Sequence, residues 1–205
     1  MIAIINYGVG NFASIHNMLR KIGVRAVVTN DAKEILAAEK IVLPGVGHYD
    51  HAMTMLNRSG LRESLDKAAI ELRRPVLGIC LGAQILGTKS EEGELPGLGW
   101  IDMACKKIPT ASGIRVPHMG WNTVSREKES ALFEFSAADA RYYFVHSYYM
   151  ECTHAADAIG ETQHGIDFTS VVQKGNIFGT QFHPEKSLRH GLAVLKAFSS
   201  LNENE

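Results

Sequence analysis

The sequence has 205 residues, 45% of them hydrophobic and 21% charged, with a formal net charge of -1. That length and balance fit one sizeable globular domain, 1–205, and near-neutrality removes the global electrostatic case for a nucleic acid or an anionic membrane as partner. No apolar run approaches the length of a membrane-spanning helix, the opening MIAIIN reads as a strand and not a signal peptide, and Cys80, Cys105 and Cys152 are too scattered for a disulfide framework or a zinc site, which points to a reducing cytoplasm.

Residues 2–6 are predicted to form a buried strand, followed by the turn Tyr7-Gly8-Val9-Gly10. Phe12, Ile15, Leu19 and Ile22 then recur at helical spacing, with Gly23 as the stop. Residues 24–29 read as a strand, Asp31 as the cap of a short helix, and 40–43 as a strand closed by Pro44-Gly45-Val46-Gly47. A helix is expected over 61–73 and a strand over 76–79. Strands alternating with helices imply crossover units and a mostly parallel sheet. After Gly87 the texture changes: 90–99 is a Glu- and Gly-rich loop, and β-rich segments follow at 101–108, 142–150, 158–163, 170–173 and 177–182. A closing amphipathic helix is predicted over 187–201.

The chemistry gathers at the predicted strand ends. Gly78-Ile79-Cys80-Leu81-Gly82 has the small-x-nucleophile-x-small spacing of a nucleophile elbow, a tight strand-to-helix turn that pushes its central side chain out. The helix beginning near Leu81 would favour a thiolate, and the Leu81 N–H would face a developing oxyanion. The plainer reading is a buried, inert cysteine among close-packed glycines. Downstream lies Thr180-Gln181-Phe182-His183-Pro184-Glu185-Lys186-Ser187. Residues two apart on an extended segment project to one side, so His183 and Glu185 can be held together as an imidazole and the carboxylate that orients it. Alone, that is equally a strand-end histidine beside a solvated glutamate. Gly45-Val46-Gly47 is a turn whose N–H groups can point at an anion, or an ordinary βα turn.

Together with IINYGVGN, LPGVG, SEEG, VPHMGWN and YYFVHSYY, these motifs make the chain resemble the class I (triad-type) glutamine amidotransferases over nearly its whole length. Within them it is similar to the glutaminase-subunit family of imidazole glycerol phosphate synthase, of histidine biosynthesis. The resemblance implies an α/β, flavodoxin-like three-layer fold with a mostly parallel central sheet and additional antiparallel strands. It implies Cys80 as nucleophile, His183 as general base and acid, and Glu185 as the residue orienting His183. Gly45, Val46, Gly47 and Leu81 would form the oxyanion hole; Gln84, Glu92, His146, Ser147 and Tyr148 would hold glutamine, with Glu91 the rival of Glu92. It implies no cofactor or metal, and a heterodimeric partner, a (βα)8-barrel cyclase that receives the ammonia. Asn11, Pro117, His118, Met119, Trp121 and Asn122 match the docking segments, Trp121 being equally readable as core. The chain leaves no room for a second active site after HPEKS, so an acceptor on a partner is expected.

Other readings stand beside this one. Gly8-Val9-Gly10 lacks the third glycine of a dinucleotide-binding turn, position 13 being Ala13, and His48 with His51 lacks a third metal ligand. Asn6 and Ala83 depart from the family pattern, where Asp and Met are usual. They leave open a paralogue that supplies ammonia for amidation of a bacterial surface-polysaccharide sugar. A catalytically silent docking protein of the same fold and a free-standing cysteine hydrolase complete the alternatives.

Overall fold

A computed structural model describes residues 1–110 and 113–201. Its first strand, β1 (Ile2–Ile5), is buried throughout, and its side chains alternate, Ala3 and Ile5 joining one apolar core, Ile2 and Ile4 the other. A parallel sheet, covered on both faces, needs such two-sided strands. Helix α1 (Phe12–Lys21) buries Ile15 and Leu19. It ends where Gly23, at φ +76°, donates to Arg20 O and Val24 donates to Leu19 O, each at 3.0 Å. Glycine takes that left-handed corner without strain. Strand β2 (Ala26–Thr29) leads to α2 (Ala32–Ala37), capped by Asp31 Oδ1, which accepts from Lys33 N–H at 2.7 Å.

Strand β3 (Lys40–Gly45) runs two residues further than expected. Pro44 and Gly45 are not part of the turn: they pair with Ile79 and Cys80. Helix α3 (Tyr49–Arg58), unanticipated from the sequence, buries Tyr49, Ala52, Met53 and Leu56. The helix expected over 61–73 is α4 (Arg62–Asp66) followed by a π-helical turn, Lys67–Glu71. Strand β4 (Val76–Cys80) then meets α5 (Leu81–Gln84), only four residues long.

The second half is mostly β: β5 (Lys89–Ser90), β6 (Met103–Lys107), β7 (His118–Thr123), β8 (Ser125–Arg126), β9 (Arg141–His146), β10 (Tyr148–Cys152), β11 (Ala158–Gln163), β12 (Asp167–Lys174) and β13 (Ile177–Thr180). Helix α6 (Leu188–Ser200) closes the described chain. The main sheet has the order β2-β1-β3-β4-β13-β12-β10-β6-β5, with β11 on β12 and β8 on β11. β2, β1, β3, β4 and β13 run parallel; β12, β10 and β6 are antiparallel additions. One core receives Ile35 of α2, Leu56 of α3 and Leu65 of α4; the other receives Leu19 of α1 and Leu195 and Phe198 of α6. This is the three-layer α/β arrangement expected.

The segment 142–150, expected as one β-rich run, breaks at Ser147. β9 pairs with β7 in a separate two-stranded ribbon, whereas β10 pairs with β6 in the main sheet. The break carries His146, Ser147 and Tyr148 to the wall of a cavity at the carboxyl edge of the parallel strands.

Candidate active site

Cys80 sits at φ +54° and ψ −113°, a left-handed conformation that costs a non-glycine residue on the order of 1–3 kcal/mol. Close packing enforces it. A Cβ on Gly82 would land on the Leu43 carbonyl oxygen, one on Gly45 would lie 2.5 Å from Gly82 N, and one on Gly78 would lie 2.7 Å from Ala83 Cα. The missing side chains let β3, β4 and α5 touch backbone to backbone, and the bend leaves Cys80 Sγ at a cavity of about 260 Å³. That is below the size of drug-type pockets and suits an amino acid.

The α5 helix is too short for the helix-dipole effect expected from sequence. Charge near the sulfur comes instead from the turn after β13. His183 Nδ1 lies 2.9 Å from Glu185 Oε1, both side chains being almost fully buried. His183 Nε2 is buried without a hydrogen bond. Burial alone disfavours the imidazolium, but Cys80 and Glu185 outweigh it and raise His183 to about 9. The turn is rigid: His183 N–H donates to Tyr143 O at 2.9 Å, Ser187 Oγ donates to His183 O at 2.6 Å and accepts from Tyr143 N–H at 2.9 Å. A Cβ on Gly191 of α6 would strike the Pro184 carbonyl, so the helix packs directly on the turn.

The raised value fixes a sign. His183 keeps its proton below its ordinary 6.5, and the stabilisation from Glu185 fades as pH rises through about 9. Turnover at this site is therefore expected to fall on the alkaline side near pH 9. In Glu185→Gln that limb moves toward neutrality, and kcat drops on the order of 10²- to 10⁴-fold through loss of the imidazole's orientation. A pH–kcat profile checks both; an unmoved limb in the variant contradicts the assignment.

The expected oxyanion turn is reduced. Val46, Gly47 and Leu81 line the cavity, Gly47 at φ +97°, whereas Gly45 is buried behind it as the last residue of β3. Of the two glutamates, Glu92 lies on the wall and its Oε2 accepts from Tyr49 N–H at 2.8 Å. Glu91 faces away, accepting from Lys107 N–H at 2.8 Å with Lys106 Nζ 3.4 Å from it. The Glu92 loop is pinned by Asp50, a residue not singled out from sequence, whose carboxylate accepts from Glu94 and Leu95 N–H at 3.0 Å each. The Leu95 and then the Glu94 N–H hold Asp50 below the usual carboxylate range.

Gln84 lines the cavity, but its Nε2 is spent on Tyr148 O and Gln181 Oε1, 3.0 Å each. Gln181 went unassigned in the sequence; its Nε2 donates toward Cys80 Sγ at 3.7 Å. His146 reaches the wall with both ring nitrogens engaged, Nδ1 donating to Tyr148 O at 2.8 Å and Nε2 lying 2.9 Å from His118 Nδ1. Burial above all pushes His146 down to about 3 and His118 to about 4.

His118 corrects the docking set: it is buried, its ring stacked on Phe144 at 4.8 Å and on His164 at 4.1 Å. On β7 the odd-numbered residues face out instead. Met119 and Trp121 are exposed, Trp121 edge-on to Tyr143 at 6.0 Å, so Trp121 is not core. Asn122 turns inward, its Nδ2 3.2 Å from His118 Nε2, while Pro117 is exposed and Asn11 precedes α1 half-buried. His48 caps α3 by accepting from Asp50 N–H at 3.2 Å, and no helix among the described residues is long and apolar enough to cross a membrane.

A thiol on a strained corner beside a carboxylate-held imidazole can open an acyl bond through a thioester. Fold and site thus define a cysteine-dependent acyl hydrolase built on a doubly wound sheet. The family model Glutamine amidotransferase class-I matches residues 3–199, and the chain belongs to that family. It is a glutamine amidotransferase, a family of which a cysteine triad is typical. Among curated relatives, it is 45% identical over 201 residues to imidazole glycerol phosphate synthase subunit HisH 2 of Pseudomonas aeruginosa, covering 98% of this chain and all of that one. It is 44% identical over 204 residues to subunit HisH of Bdellovibrio bacteriovorus, again covering 98% of this chain and all of the relative. Among solved structures, PurLQS from Thermotoga maritima superposes with TM-score 0.73 at 19% identity, covering 96% of each chain. At that identity the likeness carries the fold alone.

Proposed function

We propose that this chain is the glutaminase subunit of a two-subunit imidazole glycerol phosphate synthase, releasing ammonia from glutamine for a barrel-shaped cyclase partner in histidine biosynthesis. The observation carrying this reading is full-length similarity at 42–45% identity to relatives so named, with Cys80 and His183 on one cavity and Glu185 bonded to His183. Three free cysteines suit a reducing compartment, which supports the cytoplasm as the location.

Glutamine enters with its side-chain carboxamide toward Cys80. Glu92, whose Oε2 is held by Tyr49 N–H, offers its Oε1 to the α-ammonium. His183, which carries its proton through neutral pH, already holds on Nε2 the proton that Cys80 gives up, and the sulfur attacks the carboxamide carbon. The oxyanion meets the N–H of Leu81 and of the Val46-Gly47 turn, donors worth several kcal/mol when preorganised. His183 returns the proton to the departing nitrogen, ammonia leaves, and water then cleaves the thioester to glutamate.

Met119 and Trp121, exposed side by side on β7, suit a protein partner, since an exposed aromatic beside a long apolar side chain is the composition of an interface centre. Mixing the chain with the co-purifying barrel protein, glutamine and candidate acceptors tests the reading. A histidine-pathway ribonucleotide is expected to be aminated in step with glutamate release, and Trp121→Ala is expected to weaken assembly at least tenfold with glutamine affinity kept. Amination of a nucleotide-linked sugar instead would move the chain to the surface-polysaccharide branch.

A further inference from the structure

β13 and β4 run parallel with Thr180 opposite Ile79, so the next residues, Gln181 and Cys80, leave the sheet side by side. Gln181 is fully buried, and its backbone N–H is taken by Ser170 O at 2.8 Å. Its carboxamide has one orientation open to it. Oε1 accepts from Gln84 Nε2 at 3.0 Å, so the NH2 must point the other way, where Cys80 Sγ lies 3.7 Å off. A flipped amide would set NH2 against NH2. The Gln84 amide is fixed in turn by Tyr148 O at 3.0 Å. The same carbonyl accepts from His146 Nδ1, which leaves His146 Nε2 to accept from His118 Nδ1, and His118 Nε2 to accept from Asn122 Nδ2. Each donor meets an acceptor from the partner-facing strand β7 to the catalytic sulfur, and every tautomer along the line follows.

We propose that Gln181 is a further catalytic residue, its carboxamide N–H donating to the Cys80 thiolate, and that Gln84, His146, His118 and Asn122 are the residues that position it. The inference rests on the glutaminase reading. A buried carboxamide has no water to turn to, and a donor at the sulfur favours the anion over the thiol. It acts twice: on the attacking thiolate, and again when water adds to the thioester carbon, the C–S bond breaks, its electron pair returns to sulfur and the water's proton passes to His183.

The probe is iodoacetamide on the full-length chain, beside glutamate release in the partner complex. The titratable groups facing Cys80 are His183, His146, Tyr148, Glu92, Lys186 and Tyr7. All are common to wild type and variant, so their difference isolates Gln181. In Gln181→Met the alkylation rate at neutral pH is expected to fall about tenfold, with the pH–rate curve displaced to alkaline pH. kcat is expected to fall on the order of 10- to 100-fold, with KM within about threefold. Gln181→Asn, which keeps an amide but withdraws it by one methylene, gives the same displacement and serves if the Met variant fails to fold. A folded Gln181→Met or Gln181→Asn with wild-type alkylation and kcat overturns the role. Wild-type chain that releases no glutamate in the complex would instead overturn the glutaminase reading.

Discussion

Cys80→Ser is expected to stop glutamate release, kcat falling on the order of 10⁴- to 10⁶-fold, while the folded chain still binds glutamine. The serine hydroxyl fits the same corner, so geometry is preserved and chemistry alone is removed. An alcohol is a far weaker acid than a thiol and yields its proton to an imidazole much less readily. Steady-state glutamate assay in the partner complex reads the rate, and calorimetry with glutamine reads binding. Residual turnover within a hundredfold of wild type contradicts a nucleophilic Cys80.

Gly82→Ala is expected to be severely damaging. Its methyl would fall on the Leu43 carbonyl and within 2.8 Å of the Leu43 carbonyl carbon, both backbone of β3. Neither can move without parting β3 from β4, so at least about 3 kcal/mol of stability goes with the elbow. Gly60→Ala makes the control. Gly60 has φ +72° with nothing near its Cβ, so only backbone strain is added, about 1 kcal/mol, and activity stays. Urea denaturation compares the two; equal losses would mean that close packing does not hold the elbow.

The parallel half of the fold was legible because its strands are short apolar runs, and β1, β3, β4 and β13 each contribute to both cores. α3 was missed although its buried positions are regular, because Ala52, Met53 and Tyr49 advertise apolar spacing weakly beside His48, Asp50 and His51. β7 was missed for a different reason. Its alternation puts His118 and Asn122 inside and Met119 and Trp121 outside, the reverse of polarity, since the inward pair is satisfied by hydrogen bonds and not by apolar contact.

Cys80, His183 and Glu185 stood out in the sequence because they lie in two local motifs, an elbow and a His-Pro-Glu turn. The supporting residues did not. Gln181 touches Cys80 only because β13 happens to be the parallel neighbour of β4, and Asp50 holds the Glu92 loop from 44 residues away. His118 matched a docking segment by position, yet faces the interior, because residues one apart on a strand face opposite sides. Strand pairing and strand facing decide Gln181 and His118, and the packing of α3 on a distant loop decides Asp50; no local motif encodes either.

The central claim is that Cys80 forms the covalent bond to the carbonyl carbon of glutamine. Rapid acid quench of the partner complex turning over glutamine, followed by peptide mass spectrometry, measures this directly. A glutamyl thioester on the peptide containing Cys80, absent in Cys80→Ser and accumulating relative to wild type when Glu185→Gln slows its hydrolysis, is the result expected. Steady glutamate release with the acyl group on another residue, or with Cys80 never acylated at any quench time, would contradict it.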